Sequence, residues 1–301
     1  MLDLSQYRGL IELDEPFSSF APRYTEEDVR VLVDTLLVQT AHLRAQGAVQ
    51  NAPLSARDQL YTRLISRQPF SLSDGILQQI DRLLAYEQSL KPVMDASTLP
   101  TALARREYST RISLWQGDIC ALKTDAIVNA ANNQMLGCFQ PFHKCIDNVI
   151  HAAAGPRLRD DCAHIMDEQK KQENIRSEVS GCAKITRAYH LPAHFILHTV
   201  GPIYKSPAYH ATYADMLSSC YTACLETATE IPGIRSLAFC CISTGVFGFP
   251  NEAAAQIAIN SVTCWLEAHP HRFSQVVFNV FLDRDLIIYQ NEISRRNNYV
   301  I

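Results

Sequence analysis

The sequence predicts an α/β fold: a three-layer arrangement around a mixed central sheet, preceded by a helical N-terminal region. Two observations carry that prediction. From about Arg106 onward, short apolar runs bounded by turn residues alternate with stretches of helical spacing, the pattern of strands alternating with helices. Before that point only the helical spacing occurs. With 47% apolar and 19% charged residues in 301, the chain also has the composition of a globular protein with a sizeable core. The division expected is a helical extension over residues 1–105 and an α/β domain over 106–301.

The elements are justified in order. Thr25 followed by Asp28 is a capping-box start. Val29, Leu32, Val33, Leu36 and Leu37 then recur at helical spacing. Leu60, Tyr61, Leu64 and Ile65 form a second stripe. Ser73 reads as the N-cap of a third, carrying Ile76, Leu77, Ile80, Leu83 and Leu84. Residues 92–104, with two prolines and a Ser/Thr cluster, read as a linker.

Strands are then expected at 112–115, running into Gly117-Asp118-Ile119, and at 125–129. A helix is expected at 147–154, and 165–180 is charged enough to be a solvated helix end or loop. Strands follow at 185–190 and 195–200, an amphipathic helix at 213–229 and a strand at 237–242. That strand enters S-T-G-V-F-G-F-P at 243–250, ahead of a helix over 251–267. A strand at 276–282 and a helix at 286–295 close the pattern.

Bulk properties exclude several classes. A net charge of −4 gives no general attraction to nucleic acid or anionic membrane. The N-terminal stretch has neither a basic region nor an apolar core, so it is not a secretory signal, and no apolar run is long enough to span a bilayer. Ten cysteines in that context read as thiols or metal ligands in a reducing, cytoplasmic setting. Cys120, Cys220, Cys224, Cys240, Cys241 and Cys264 fall on apolar faces and are expected in the core.

Three pieces carry chemistry. Cys138, His143 and Cys145 form C-x4-H-x-C. Two thiolates and an imidazole suit Zn²⁺, and three protein ligands with one open position is how catalytic zinc is held. The bland alternative is a pair of buried cysteines near a helix start. Asp147 stands two residues past the last ligand, close enough to act on what the metal holds. His151, one helical turn further, reads as structural. The 243–250 turn has glycines that let a ligand approach the backbone, and successive N–H groups that can form an anion nest at a helix N-terminus. It fits neither the Rossmann nor the Walker pattern, and a plain strand-to-helix turn is its alternative. Asp118, at a strand end, can accept a hydrogen bond from an exocyclic amine such as adenine's, or can be an ordinary turn Asp. Phe281 and Leu282 end the last strand, where one could pack on a base; core packing is expected of each.

Taken in order, G-D-I at 117–119, I-V-N-A-A-N at 127–132, H-A-A-A-G-P at 151–156, L-P-A-H-F-I-L-H-T-V-G-P at 191–202 and S-T-G-V-F-G-F-P at 243–250 resemble the macrodomain family, whose members bind ADP-ribose. The resemblance covers roughly residues 106 to 301. Where many hydrolytic members carry a glycine run, this chain has G-C-F-Q-P-F-H-K-C-I-D-N, which looks like the zinc-dependent branch with its helical extension. The resemblance implies that Asp118 and Ile119 hold adenine, that Asn132 contacts the distal ribose, and that Asn129 is structural. It implies that Ser243, Thr244, Gly245, Val246, Phe247 and Gly248 wrap the pyrophosphate and that Phe249 lies near the distal ribose. Phe249 stands where many members have Tyr, so a hydroxyl contact there is lost. Cys138, His143 and Cys145 would bind zinc, and Asp147 with Asn132 would serve the reaction. The activity implied is removal of ADP-ribose from a mono-ADP-ribosylated protein, and a monomer is expected. The rivals are a reader that binds ADP-ribose without cleaving it and a hydrolase of free esters such as O-acetyl-ADP-ribose.

Overall fold

The computed structural model describes residues 2–17, 23–43, 54–105 and 108–298. The chain divides into two units, one built from three separate stretches: Met1–Pro92, Gln134–Arg176 and Arg187–Leu191. The other takes Val93–Asn133, Ser177–Thr186 and Pro192–Ile301. The expected change of pattern at Arg106 falls outside the described residues.

The first unit is helical. It holds α1 (Leu4–Tyr7), α2 (Glu26–Gln39), α3 (Ala56–Ser66), α4 (Asp74–Ser89), α5 (Ile146–Ala154) and α6 (Pro156–Glu173). The α2 start is the expected reciprocal cap. The Asp28 N–H donates to Thr25 Oγ1 at 3.2 Å, and the Thr25 N–H donates to the Asp28 carboxylate at 2.8 Å. The three apolar stripes then meet: Val33, Leu36, Leu60, Leu77, Ile80, Leu83 and Leu84 form one buried cluster. Each fully buried leucine or isoleucine contributes roughly 1.5–3 kcal/mol. At the α5–α6 junction Gly155 adopts φ +96°, and a Cβ there would stand 2.6 Å from Leu84 Cδ1. Only glycine lets one helix end, Pro156 begin the next, and α4 lie against the corner.

The second unit is a sheet with helices. Its strands are β1 (Met94–Asp95), β2 (Leu103–Arg105), β3 (Tyr108–Gln116), β4 (Leu122–Lys123), β5 (Ala126–Ala131), β6 (Ala183–Arg187), β7 (Phe195–Val200), β8 (Ser236–Phe239) and β9 (Gln275–Val280). The last residue of β6 groups with the helical unit. Seven strands form the order β2-β3-β9-β8-β5-β7-β6. The pairs β3/β9, β9/β8, β8/β5 and β5/β7 are parallel, and β2 runs antiparallel to β3, so the sheet is mixed. Every residue of β9 is buried, as expected for a parallel strand covered on both faces. Helices α7 (His210–Thr229), α8 (Asn251–Ala268) and α9 (Asp283–Asn298) complete the unit. No helix among the described residues is long and apolar enough to cross a membrane.

Three expectations are corrected. Residues 92–104 are not a linker: β1 pairs with β4, and β2 joins the sheet edge. Strands of two and three residues are too short to show periodicity. Cys264 is exposed rather than in the core, because α8 buries the stripe through Ala255, Ala258, Ile259, Val262 and Leu266 and position 264 falls off it. Phe281 and Leu282 are also exposed, at 71% and 48%, because β9 ends at Val280.

Candidate functional site

The parallel strands of the second unit deliver their following loops to one edge, the C-terminal edge, where open α/β sheets bind ligands. Asp118 follows β3. Its Oδ1 accepts from the Cys120 N–H at 2.9 Å, capping a 3-10 turn that buries Ile119. The Asn279 amide donates to the Gly117 carbonyl at 3.0 Å and fixes the approach to that turn. Asn132 follows β5 and is half-buried. The Glu178 N–H donates to the neighbouring Asn133 carbonyl at 2.7 Å. Within β5, Asn129 is fully buried, and its amide donates to His198 Nδ1 at 3.1 Å. The other imidazole nitrogen meets Thr186 Oγ1 at 2.9 Å. Burial depresses the His198 pKa to about 3, so the ring stays neutral, as an acceptor at Nδ1 must be.

The 243–250 loop follows β8. Ser243 is buried at φ +65°, a left-handed conformation rare outside glycine. The turn is closed by Gly248 N–H to Gly245 carbonyl at 3.1 Å and Phe249 N–H to Ser243 carbonyl at 2.9 Å. Thr244 Oγ1 donates to the Cys241 carbonyl at 3.3 Å. A second loop braces it, through Tyr204 N–H to the Phe247 carbonyl at 2.8 Å. Gly245, Val246 and Gly248 are exposed, with Phe247 half-buried. The Phe249 ring is buried, 5.1 Å from Tyr204 and 5.8 Å from His210 between centroids. Gly201 makes the close approach feasible: a Cβ there would lie 2.0 Å from Ser243 Oγ and 2.8 Å from Ile242 Cγ2. The loop then passes into α8.

In the first unit, Cys138, His143 and Cys145 converge, with their ligand atoms all within 4.8 Å of one another. Cys145 is the N-cap of α5, its Sγ accepting from the Asn148 N–H at 3.4 Å. Cys138 Sγ accepts from the Gln140 N–H at 3.4 Å. Between them the chain turns sharply. The His143 N–H donates to the Gln140 carbonyl at 3.3 Å, and Phe142 stands at φ +61°. Pro141 precedes it, which is the residue order of a type II turn. Burial, and then the neighbouring Cys138 and Asp147, push the Cys145 thiol up to about 12. A divalent cation among the three reverses that preference and releases the proton.

The donor set fits zinc. Tetrahedral legs of about 2.3 Å to sulfur and about 2.0–2.1 Å to nitrogen set an S···N edge of roughly 3.5 Å. Cys138 Sγ and His143 Nδ1 lie 3.5 Å apart. Asp147, in the first turn of α5, is 4% exposed, and its Oδ1 lies 3.5 Å from His151 Nε2. A carboxylate in a first helical turn is favoured by the helix dipole.

Residues beyond those expected support this loop. The Asn148 carboxamide donates to the His143 carbonyl at 2.9 Å and the Gln140 carbonyl at 3.3 Å. Arg159 is buried, with Nη2 donating to the Cys138 carbonyl at 3.3 Å and the guanidinium 4.3 Å over the Phe139 ring. Its Nη1 donates to the carbonyls of Ile65 and Arg67 at 2.7 and 2.9 Å. Asn148 could have been flagged as the third residue of a Cys-capped helix. Nothing local in the sequence marks Arg159.

The Macro domain family model matches residues 128–258. The protein named Protein-ADP-ribose hydrolase from Staphylococcus aureus (strain MRSA252) is 41% identical over 232 residues, covering 77% of this chain and 79% of that protein. A Treponema medium protein of the same name is 49% identical over 183 residues, covering 60% of this chain and 66% of its own length. Among solved structures, the Oceanobacillus iheyensis macrodomain with ADP aligns at TM-score 0.57 and 32% identity, over 66% of this chain and 97% of that one. The Trypanosoma brucei macrodomain in complex with ADP aligns at TM-score 0.57 and 28% identity, over 78% and 96%. The three-layer α/β class with a mixed sheet, expected from the sequence, is that of these macrodomain neighbours, and the helical N-terminal region expected beside it is present in this chain.

Proposed function

Because the chain belongs to the macrodomain family, we propose that it is a protein-ADP-ribose hydrolase whose turnover requires zinc held by Cys138, His143 and Cys145. The relatives at 41–49% identity carry that activity in their names. The observation that carries the metal half is the S···N edge of 3.5 Å in a loop where two thiols and an imidazole converge. When bound, zinc supplies a Lewis acid and lowers the pKa of water in its open position.

The chain's own residues do the rest. Asp118 accepts from the adenine amine beside Ile119. Backbone N–H groups of Ser243, Thr244, Gly245, Val246 and Phe247 cradle the pyrophosphate at the start of α8, where the helix dipole favours anions, and Gly248, whose own N–H closes the turn, wraps it without donating. Asn132 bonds the distal ribose, and Phe249 backs the loop. Binding energy gathered away from the reacting bond is thereby used to orient it. Asp147 orients the attacking water or takes its proton. In this reading residues 106–301 are the ADP-ribose-binding macrodomain, the strands of residues 94–105 group with its sheet, and the helical extension that precedes them is the rest of the expected 1–105 stretch.

The test is ADP-ribose release from a mono-ADP-ribosylated protein, with chelator and then with zinc restored. Release that stops and returns supports the proposal. Tight ADP-ribose binding without release from any protein-linked or small-molecule substrate establishes a reader. Release confined to O-acetyl-ADP-ribose establishes a metabolite esterase. Release unaffected after metal analysis shows zinc stripped removes the metal from the reaction.

A further inference from the structure

We infer that Asn148 is a positioning residue that sets how tightly the 138–145 loop holds its metal, with Tyr61 of α3 completing the hold. The inference rests on the zinc reading above and goes beyond it. Asn148 is 1% exposed. Its backbone N–H donates to Cys145 Sγ at 3.4 Å. Its carboxamide donates to the carbonyls of His143 at 2.9 Å and Gln140 at 3.3 Å, and the Gln140 N–H in turn donates to Cys138 Sγ at 3.4 Å. Asn148 therefore reaches all three residues of the set: Cys145 through its backbone N–H, His143 directly through its side chain, and Cys138 through Gln140.

The loop has a reason to need holding. Phe142 sits at φ +61°, where a bulky side chain is strained. Its ring lies 5.1 Å from Tyr61, and Tyr61 Oη accepts from the Asn148 carboxamide at 3.3 Å. Asn148 and Tyr61 thus grip the strained turn from its polar and apolar sides together.

A purely structural role would predict a fully bonded amide. Instead Asn148 Oδ1 is buried without a hydrogen-bond partner, a destabilising feature. Flipping the amide would set that oxygen against two carbonyls, so the orientation is fixed by the loop. The side chain leaves its oxygen without a bond while its two N–H donors are shared among the His143 and Gln140 carbonyls of the metal loop and Tyr61 Oη.

The probe is Co²⁺, titrated into the metal-free full-length chain. Its thiolate charge-transfer and d–d bands report the coordination, and competition with a chelator gives the affinity. Asn148→Leu keeps the branching and removes donors and orphan oxygen together. The expected result is Co²⁺ binding weaker by about 10- to 100-fold, the range for residues that support metal ligands. The bands should shift, and the Tm of the metal-free chain should hold or rise. Tyr61→Phe should give a smaller loss of the same kind. Unchanged affinity and bands in Asn148→Leu overturn the inference, as does a loss of affinity matched by a falling metal-free Tm. If that variant does not fold, Asn148→Ser is read by the same criteria. A wild-type chain that binds no Co²⁺ removes the metal reading itself, a failure distinct from wild-type binding with unaltered variants.

Discussion

Replacing Gly201 by alanine tests whether the 243–250 loop is held where ADP-ribose binding needs it. The added methyl would arrive 2.0 Å from Ser243 Oγ, 3.3 Å from Ser243 Cβ and 2.8 Å from Ile242 Cγ2. Rotating the Ser243 hydroxyl relieves the first contact. It does not relieve the others, because Ile242 is fully buried and Ser243 is already at φ +65°. Overpacking of this kind costs about 1–3 kcal/mol. If Ser243 moves to relieve it, the displacement enters the turn closed by the Phe249 N–H and the Ser243 carbonyl. ADP-ribose affinity should then fall by about 5- to 150-fold, at 1.4 kcal/mol per decade. Calorimetric titration reads the loss, with Tm and zinc content measured alongside. Zinc content should not change, because Gly201 belongs to the other unit from the ligand loop. Adding Ser243→Gly removes the clashing side chain and suits the left-handed backbone, so the double variant should recover much of the affinity. Wild-type affinity and Tm in the single variant, or strict additivity in the double, would refute the reasoning.

The remaining predictions address chemistry and pH. Asp118→Ala should weaken ADP-ribose binding by about tenfold or more, the worth of a charged hydrogen bond, with zinc content unaltered; equal affinity would remove Asp118 from the adenine site. Cys145→Ser should lose zinc by metal analysis and lose turnover with it, and full activity without metal would end the zinc proposal. Asp147→Ala should lower kcat by about 100-fold or more while ADP-ribose affinity stays near wild type, the range for a positioned acid or base; unchanged kcat would take Asp147 out of the reaction. Burial pushes Asp161 from 3.8 up to about 7, despite Tyr189 and Arg187 beside it. The native state therefore holds a proton that the unfolded chain has lost. Stability from this group is full below about pH 4 and falls as pH rises to about 7, by roughly 4 kcal/mol in all. Denaturant titrations between pH 4.5 and 7.5 should show that slope, Asp161→Asn should flatten it, and parallel slopes would discount the shift.

Local chemistry was the legible part. The Thr25 cap, the stripes of α2 to α4 and the strand end before Asp118 could be read because each depends on residues within a turn or two of one another, whereas β8 stops at Phe239, short of the end expected at 242. The convergence of the C-x4-H-x-C residues was legible for the same reason: the two thiols and the imidazole lie within eight residues, and the fold brings their donor atoms within 4.8 Å of one another. What could not be read was long-range or too short to be periodic. Arg159 reaches the carbonyls of Ile65 and Arg67, and no spacing announces a guanidinium that travels so far along the chain. β1 and β2 are strands only because β4 and β3 lie beside them. Cys264 follows apolar neighbours in sequence, but at a hundred degrees per residue it turns outward.

The threefold stitching of the helical unit has a consequence for the chain while it is being made. Arg67 of the first stretch pairs with Asp160 of the second at 2.9 Å. Tyr189 of the third donates to Asp161 of the second. The helices emerging early thus wait for partners that follow on the order of ten seconds later, at ordinary rates of synthesis. Through that interval α2 to α4 have only one another to bury their stripe. Cys138 and Cys145 likewise leave the ribosome as open thiols before α6 and Tyr189 are there to finish the unit around them. The interval in which this unit is least covered therefore falls before residues 160 to 189 have been made.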